Sequence, residues 1–197
     1  MDENKTYVRT KAKLVANLNK STEKAQVPFV EKTIMQLLKN LLSIALSTMS
    51  SSGIPTEEAT IQKILTSSQR IALVGASQKP ERPAYYVMQY LLDKGYKVIP
   101  INPGLEGKEL LGQKVYASLS SVEEPIDMVD IFRNSAAVPP IVDEAIAINA
   151  KAIWMQVGVV NEEAAKKAKE AGLDVVMNRC PKIEIPRLGL GPPQSEL

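Results

Sequence analysis

Five short apolar runs separated by helix-forming stretches constrain this chain more than any other feature. Ile71-Ala72-Leu73-Val74 is apolar at every position, as a parallel strand covered on both faces must be. Lys97–Ile101, Met128–Phe132, Ala152–Met155 and Asp174–Met177 are mostly apolar in the same way. Between them lie three helical patterns. One starts near Pro83 and runs to Lys94, with Gly95 as its stop. One runs from Val138 to Asn149, with Pro139 and Pro140 in its first turn. One is capped by Asn161 and runs through Ala171, with Gly172 as its stop. Thr56 is a plausible N-cap for an earlier helix through Ser67. Strands alternating with helices predict an α/β fold: a doubly wound parallel sheet of about five strands in three αβα layers.

The chain is longer than one such body requires, so 197 residues suggest one domain and an appendage. Three zones are expected: 1–54, 55–186 and 187–197. In the first, Ile34, Leu37, Leu38, Leu41, Leu42, Ala45 and Leu46 form one apolar stripe on a helix over about 33–48. Ser50–Pro55 then reads as a linker. Three readings of this extension stay open: a helix packed on the body or on a second copy, a targeting segment, or residues that precede a natural start at Met49. The last zone, with Gly189, Gly191, Pro192 and Pro193, reads as disordered.

Residues 1–48 hold eight Lys or Arg and four Asp or Glu, so the chain's net charge of +2 belongs to that segment. The body offers no basic face for nucleic acid. No apolar run reaches the roughly 20 residues that span a bilayer. A single cysteine, Cys180, rules out an internal disulfide framework and fits a reducing, cytoplasmic setting. The histidine count of zero removes serine and cysteine triads that use histidine, His-based zinc sites and phosphohistidine chemistry. What remains is binding, carboxylate or lysine chemistry, or a lone thiol.

Ligands of doubly wound sheets lie beyond the C-terminal strand ends. The first strand runs into Gly75-Ala76-Ser77, followed by Lys79, Arg82 and Pro83. A glycine there lets the backbone approach a phosphate, and the next helix opens with free N–H groups. This is not the G-x-G-x-x-G fingerprint. The second strand ends in Asn102-Pro103. An NAD site would place a carboxylate near Asn102 for the ribose hydroxyl, and no acid follows until Glu106. Phe132 and Arg133 end the third strand, with Val138 as an apolar wall beyond. Gly158 follows the fourth strand and permits close backbone approach. Cys180 ends the fifth, beside Arg179, and two readings stay open: a buried small hydrophobe, or a thiol whose pKa the arginine lowers.

These stretches together resemble the stand-alone CoA-binding proteins. These are Rossmann-like domains similar to the nucleotide-binding domain of the succinyl-CoA synthetase alpha subunit. The resemblance rests on Val74–Ser77, Arg82-Pro83-Ala84-Tyr85, Gly95–Pro103 and Val129–Arg133. It continues through Val138–Val142, Trp154–Val159 and Val176–Cys180. It covers about Ser67 to Glu184. It implies that CoA, or an acyl-CoA, lies across the strand ends with its pyrophosphate on Gly75–Ser77. Ribose phosphate and adenine would then lie near Lys79, Arg82, Asn102 and Pro103. Tyr85 and Gly158 join the implied site, and Phe132, Arg133 and Val138 line its far side. Ala84 stands where the family carries serine, and Asn178 where it carries aspartate. The related synthetases need a phosphorylated histidine and a partner subunit, and this chain has no histidine.

The expectation is a non-catalytic CoA carrier, sensor or regulator without metal. Two alternatives remain: an NAD(P)-binding oxidoreductase, or an interaction protein that pairs with itself or a partner through the N-terminal helix.

Overall fold

The structure, a computed structural model, describes residues 56–191. The expected helix at 33–48 and its linker lie outside the described residues. Helix α1 (Glu57–Ser67) leads into strand β1 (Arg70–Val74), helix α2 (Pro83–Asp93) and strand β2 (Lys97–Ile101). A small hairpin, β3 (Glu109–Leu110) and β4 (Gln113–Lys114), precedes β5 (Met128–Ile131). Helix α3 (Val138–Ala147), β6 (Ala152–Met155), α4 (Glu162–Glu170), β7 (Asp174–Val176) and α5 (Pro181–Arg187) complete the order.

The main sheet is five-stranded and ordered β2-β1-β5-β6-β7, with every pairing parallel. Alternate residues of each strand feed two separate cores, which explains the unbroken apolar runs. Ile71, Leu73, Met128 and Trp154 pack under α1, α2 and α5 with Ile61, Leu65, Met88, Leu91 and Ile185. Ala72, Ile99, Val129 and Ile153 pack under α3 and α4 with Val142, Ala145, Ala165 and Ala168. The expected three-layer αβα architecture is therefore present.

Local chemistry sets the ends. Thr56 Oγ1 accepts the Ala59 N–H at 3.2 Å, and Asn161 Oδ1 accepts the Ala164 N–H at 2.9 Å. Both are N-caps satisfying donors that the first helical turn leaves free. Tyr96 Oη donates to the Leu65 carbonyl at 2.7 Å, fixing α1 to the start of β2. At the N-terminal edge of the sheet, buried Asp127 accepts the backbone N–H groups of Gln69 and Arg70 at 3.1 and 2.9 Å. Lys151 Nζ lies 2.9 Å from the same carboxylate.

Differences from the sequence reading are local. Strand and helix ends shift by one or two residues. The β3–β4 hairpin, turning through Leu111 and Gly112 at φ of 48° and 76°, has no counterpart in that reading. Past the fifth strand, Pro181–Arg187 forms helix α5. The chain also stays packed past 187, where disorder was expected. Leu188 and Leu190 rest on the core, and the Leu190 N–H donates to the Ile185 carbonyl at 3.0 Å. Residues 192–197 lie outside the described residues. No helix among the described residues is long and apolar enough to cross a membrane.

Candidate functional site

The chain leaves β1 outward to β2 and returns on the other side of β1 as β5. The loops after β1 and β5 therefore diverge, and a crevice must open between their strand ends. Gly75 sits at that point with φ of +94°. Its backbone lies against β5's exit. A Cβ there would stand 3.1 Å from the Phe132 carbonyl oxygen and 3.1 Å from Arg133 Cδ. The N–H groups of Gly75 and Ala76 both donate to the Ile101 carbonyl, at 3.0 and 3.2 Å. The turn is thereby locked to the end of β2.

Two cavities border this turn. The larger, about 1000 Å³, runs from the Gly75–Ser77 turn past the start of α2 to Gln156, Cys180 and α5. The smaller, about 260 Å³, opens beside Pro103, Ser118, Arg133 and Ile141. Gly75 and Asn102 line both. Ala76, Ser77, Lys79, Arg82, Pro83 and Phe132 line the larger one, and Pro103 and Arg133 line the smaller. Tyr85, Val138 and Gly158 line neither. Tyr85 is half-buried against the core. Val138 is wholly buried in the core under α3. Gly158 donates its N–H to Asn178 Oδ1 at 2.9 Å.

The polar groups divide into committed and free. Asn102 is committed: its Nδ2 donates to the Ala76 carbonyl at 2.7 Å, and its Oδ1 accepts the Gly104 N–H at 2.9 Å. It ties the β1 and β2 exits together, which a turn asparagine does well. Asn178 behaves similarly. It adopts φ of +55°, which asparagine tolerates better than most residues, and holds the β6 and β7 exits together through Gly158. Ser77 Oγ accepts the Lys79 N–H at 3.2 Å. Lys79, Arg82 and Arg133 are exposed, and none makes an ion pair with any described carboxylate. Cations left unpaired around a backbone-lined crevice suit an anionic ligand.

The structure decides between the two readings of Cys180 in favour of the buried one. Its thiol is buried, and burial pushes it above its ordinary pKa, with the Asp130 carboxylate adding to the effect. Arg179 does not offset this. Its guanidinium pairs with Glu57 at 3.1 Å and with Glu184 at 3.9 Å.

Sequence reasoning missed several lining residues. Tyr86, Val157 and Ile183 give the larger cavity an apolar rim and are exposed. Lys182 Nζ stands 4.7 Å over the Tyr86 ring, a cation–π arrangement. Gln156 closes the deep end. No group of His, Cys, Asp and Glu with metal-binding geometry occurs among the described residues.

Comparison with known proteins places this geometry. YneT of Bacillus subtilis, an uncharacterized protein, is 41% identical over 126 residues, covering 64% of this chain and 92% of its own. A hypothetical protein of Pyrococcus horikoshii is 45% identical with a TM-score of 0.64, covering 70% of this chain and 98% of its own. An ADP-forming acetate–CoA ligase of Methanocaldococcus jannaschii is 32% identical over 112 residues, 55% of this chain and 16% of the ligase. The match to that ligase therefore spans only a small part of it. The family profile described as a CoA binding domain matches residues 69–186, which contain both cavities and every strand of the sheet, and the chain belongs to that family.

Proposed function

We propose that this domain holds coenzyme A across the exits of β1, β2 and β5 and performs no chemistry on it. The observation that carries the reading is the Gly75–Ser77 turn. It borders two cavities, and Lys79, Arg82 and Arg133 beside them have no carboxylate partner among the described residues. CoA is a diphosphate with a further ribose phosphate and a long, largely uncharged arm. In this reading the cations Lys79, Arg82 and Arg133 take the phosphates, the smaller cavity takes a flat ring, and the apolar-rimmed cleft takes the arm. The binding-domain family supports the ligand class. The non-catalytic role rests on the zero histidine count. The chain carries no counterpart of the phosphorylated histidine that the synthetase resemblance implies. A carrier, sensor or regulator fits these residues.

The test is a thermal-shift and calorimetric titration of the full chain with CoA, 3′-dephospho-CoA, NAD and NADP. Free ligand at 100 times its Kd should add about 2.7 kcal/mol of stability. CoA should bind, dephospho-CoA more weakly, and Lys79→Ala with Arg82→Ala should remove that difference. A response to NAD or NADP alone, or none to CoA, would overturn the reading.

A further inference from the structure

Asp130 lies in the middle of β5, between Leu73 of β1 and Trp154 of β6 in register, and is fully buried. No cation pairs with it among the described residues. A carboxylate so placed is costly unless its lone pairs are used. Its partner is one side-chain amide: Gln156 Nε2 donates to Oδ1 at 2.9 Å and to Oδ2 at 3.2 Å. Gln156 itself lines the larger cavity. An amide has two ends. With Nε2 turned inward, Oε1 makes no hydrogen bond to any described group, and it is not among the sealed, unpartnered polar atoms. Because Gln156 lines the larger cavity, Oε1 is the end of the amide left to accept from a ligand there.

We propose that Asp130 is a positioning residue for the ligand site: its carboxylate holds the Gln156 amide so that the cavity presents an acceptor and selects an N–H or O–H donor on the ligand's uncharged arm. The inference rests on the reading that CoA occupies the cleft, since the pantetheine arm carries two secondary amides and a hydroxyl. A protonated Asp130 no longer demands Nε2. Its own O–H can donate to Oε1, the amide can turn over, and the polarity shown to the ligand reverses. Burial raises the Asp130 pKa to about 7, against the lowering effect of the Gln156 bond, which puts the change within reach of ordinary buffers. Among the described residues, Cys180 interacts electrostatically with Asp130. Its neighbours in register, Leu73 and Trp154, carry no titratable group.

The experiment measures Kd for CoA and for adenosine 3′,5′-bisphosphate between pH 5.5 and 8.5, on the full-length protein and on Asp130→Asn. The ratio of variant to wild-type Kd cancels each ligand's own titration. For CoA the ratio should be about 3–10 at pH 8.5, the size of one neutral hydrogen bond, and should approach one at pH 5.5. For the bisphosphate, which lacks the arm, it should stay near one throughout. In the wild type, the Gln156 side-chain amide resonance should titrate with a midpoint near that of Asp130; this readout needs no variant. A flat CoA ratio near one, or a Gln156 resonance that does not move, overturns this inference while nucleotide binding survives. Failure of both ligands to bind at any pH overturns the CoA reading and this inference with it.

Discussion

Replacing Gly75 with alanine tests the close approach at the centre of the site. Two effects add. Alanine at φ of +94° costs about 1–2 kcal/mol, because its Cβ meets the following carbonyl. The new Cβ would also sit 3.1 Å from the Phe132 carbonyl oxygen and 3.2 Å from its carbon. Arg133 Cδ, also at 3.1 Å, belongs to a flexible chain and can move. The Phe132 backbone cannot, because its N–H is bonded to the Val74 carbonyl at 2.8 Å. Overpacking of this kind costs about 1–3 kcal/mol. Gly107 supplies the control: it has φ of +74° and nothing within 4 Å of its Cβ position. Gly107→Ala should carry the backbone cost alone. Urea denaturation should therefore place Gly75→Ala about 1–3 kcal/mol below Gly107→Ala, and only the former should weaken CoA binding. Equal midpoints for the two variants would refute the argument that β1's exit is pressed against β5's.

Three further outcomes are expected. Asp130 ionises near neutrality when folded and at about 3.9 when unfolded; its raised pKa means the folded state binds more protons between these values. Stability should fall as pH rises from about 4 to 7 and level off above. The difference in urea midpoint between Asp130→Asn and wild type should show that slope. Trp154→Phe removes the indole N–H that donates to the Arg179 carbonyl at 2.8 Å. Chemical denaturation should report a loss of at least about 1–3 kcal/mol. Cys180, buried and raised in pKa, should react slowly with a disulfide reagent at pH 7 and more slowly with CoA present; faster labelling on adding CoA would contradict its place in the cleft wall.

The strands were legible because a parallel strand buried on both faces leaves few polar positions to interrupt the run. Val98 and Ile99 feed opposite cores, and both must be apolar. The β3–β4 hairpin left no such mark: its strands are two residues each, and only Leu110 is buried. The turn after β1 was legible from one glycine at a strand exit followed by proline and cations. Tyr85 entered the expected site through the resemblance, and helix phase sets where it stands. The buried face of α2 runs through Ala84, Val87, Met88 and Leu91, which puts Tyr86 on the cavity rim and leaves Tyr85 on the flank. Lys182 and Ile183 reach the site only because α5 folds back beside α2, a long-range event with no local signature. Asp130 did carry a signal. A carboxylate inside Met128–Ile131, otherwise wholly apolar and buried, marks a position where function overrides burial cost.

The ion pairs at the edge of the fold have a topological consequence. Glu57 meets Arg179, and Glu58 meets Arg187 at 2.9 Å, so the first helix of the body and its last are stitched side by side. A short linker from residue 191 back to 56 would close the body into a ring without disturbing the sheet. New ends could then be cut in the exposed turn at Gly112, where an added Cβ meets nothing within 4 Å. Such a circular permutant should keep all five parallel strands in register. The order in which the chain threads the strands would change, while the crevice between β1 and β5 would not.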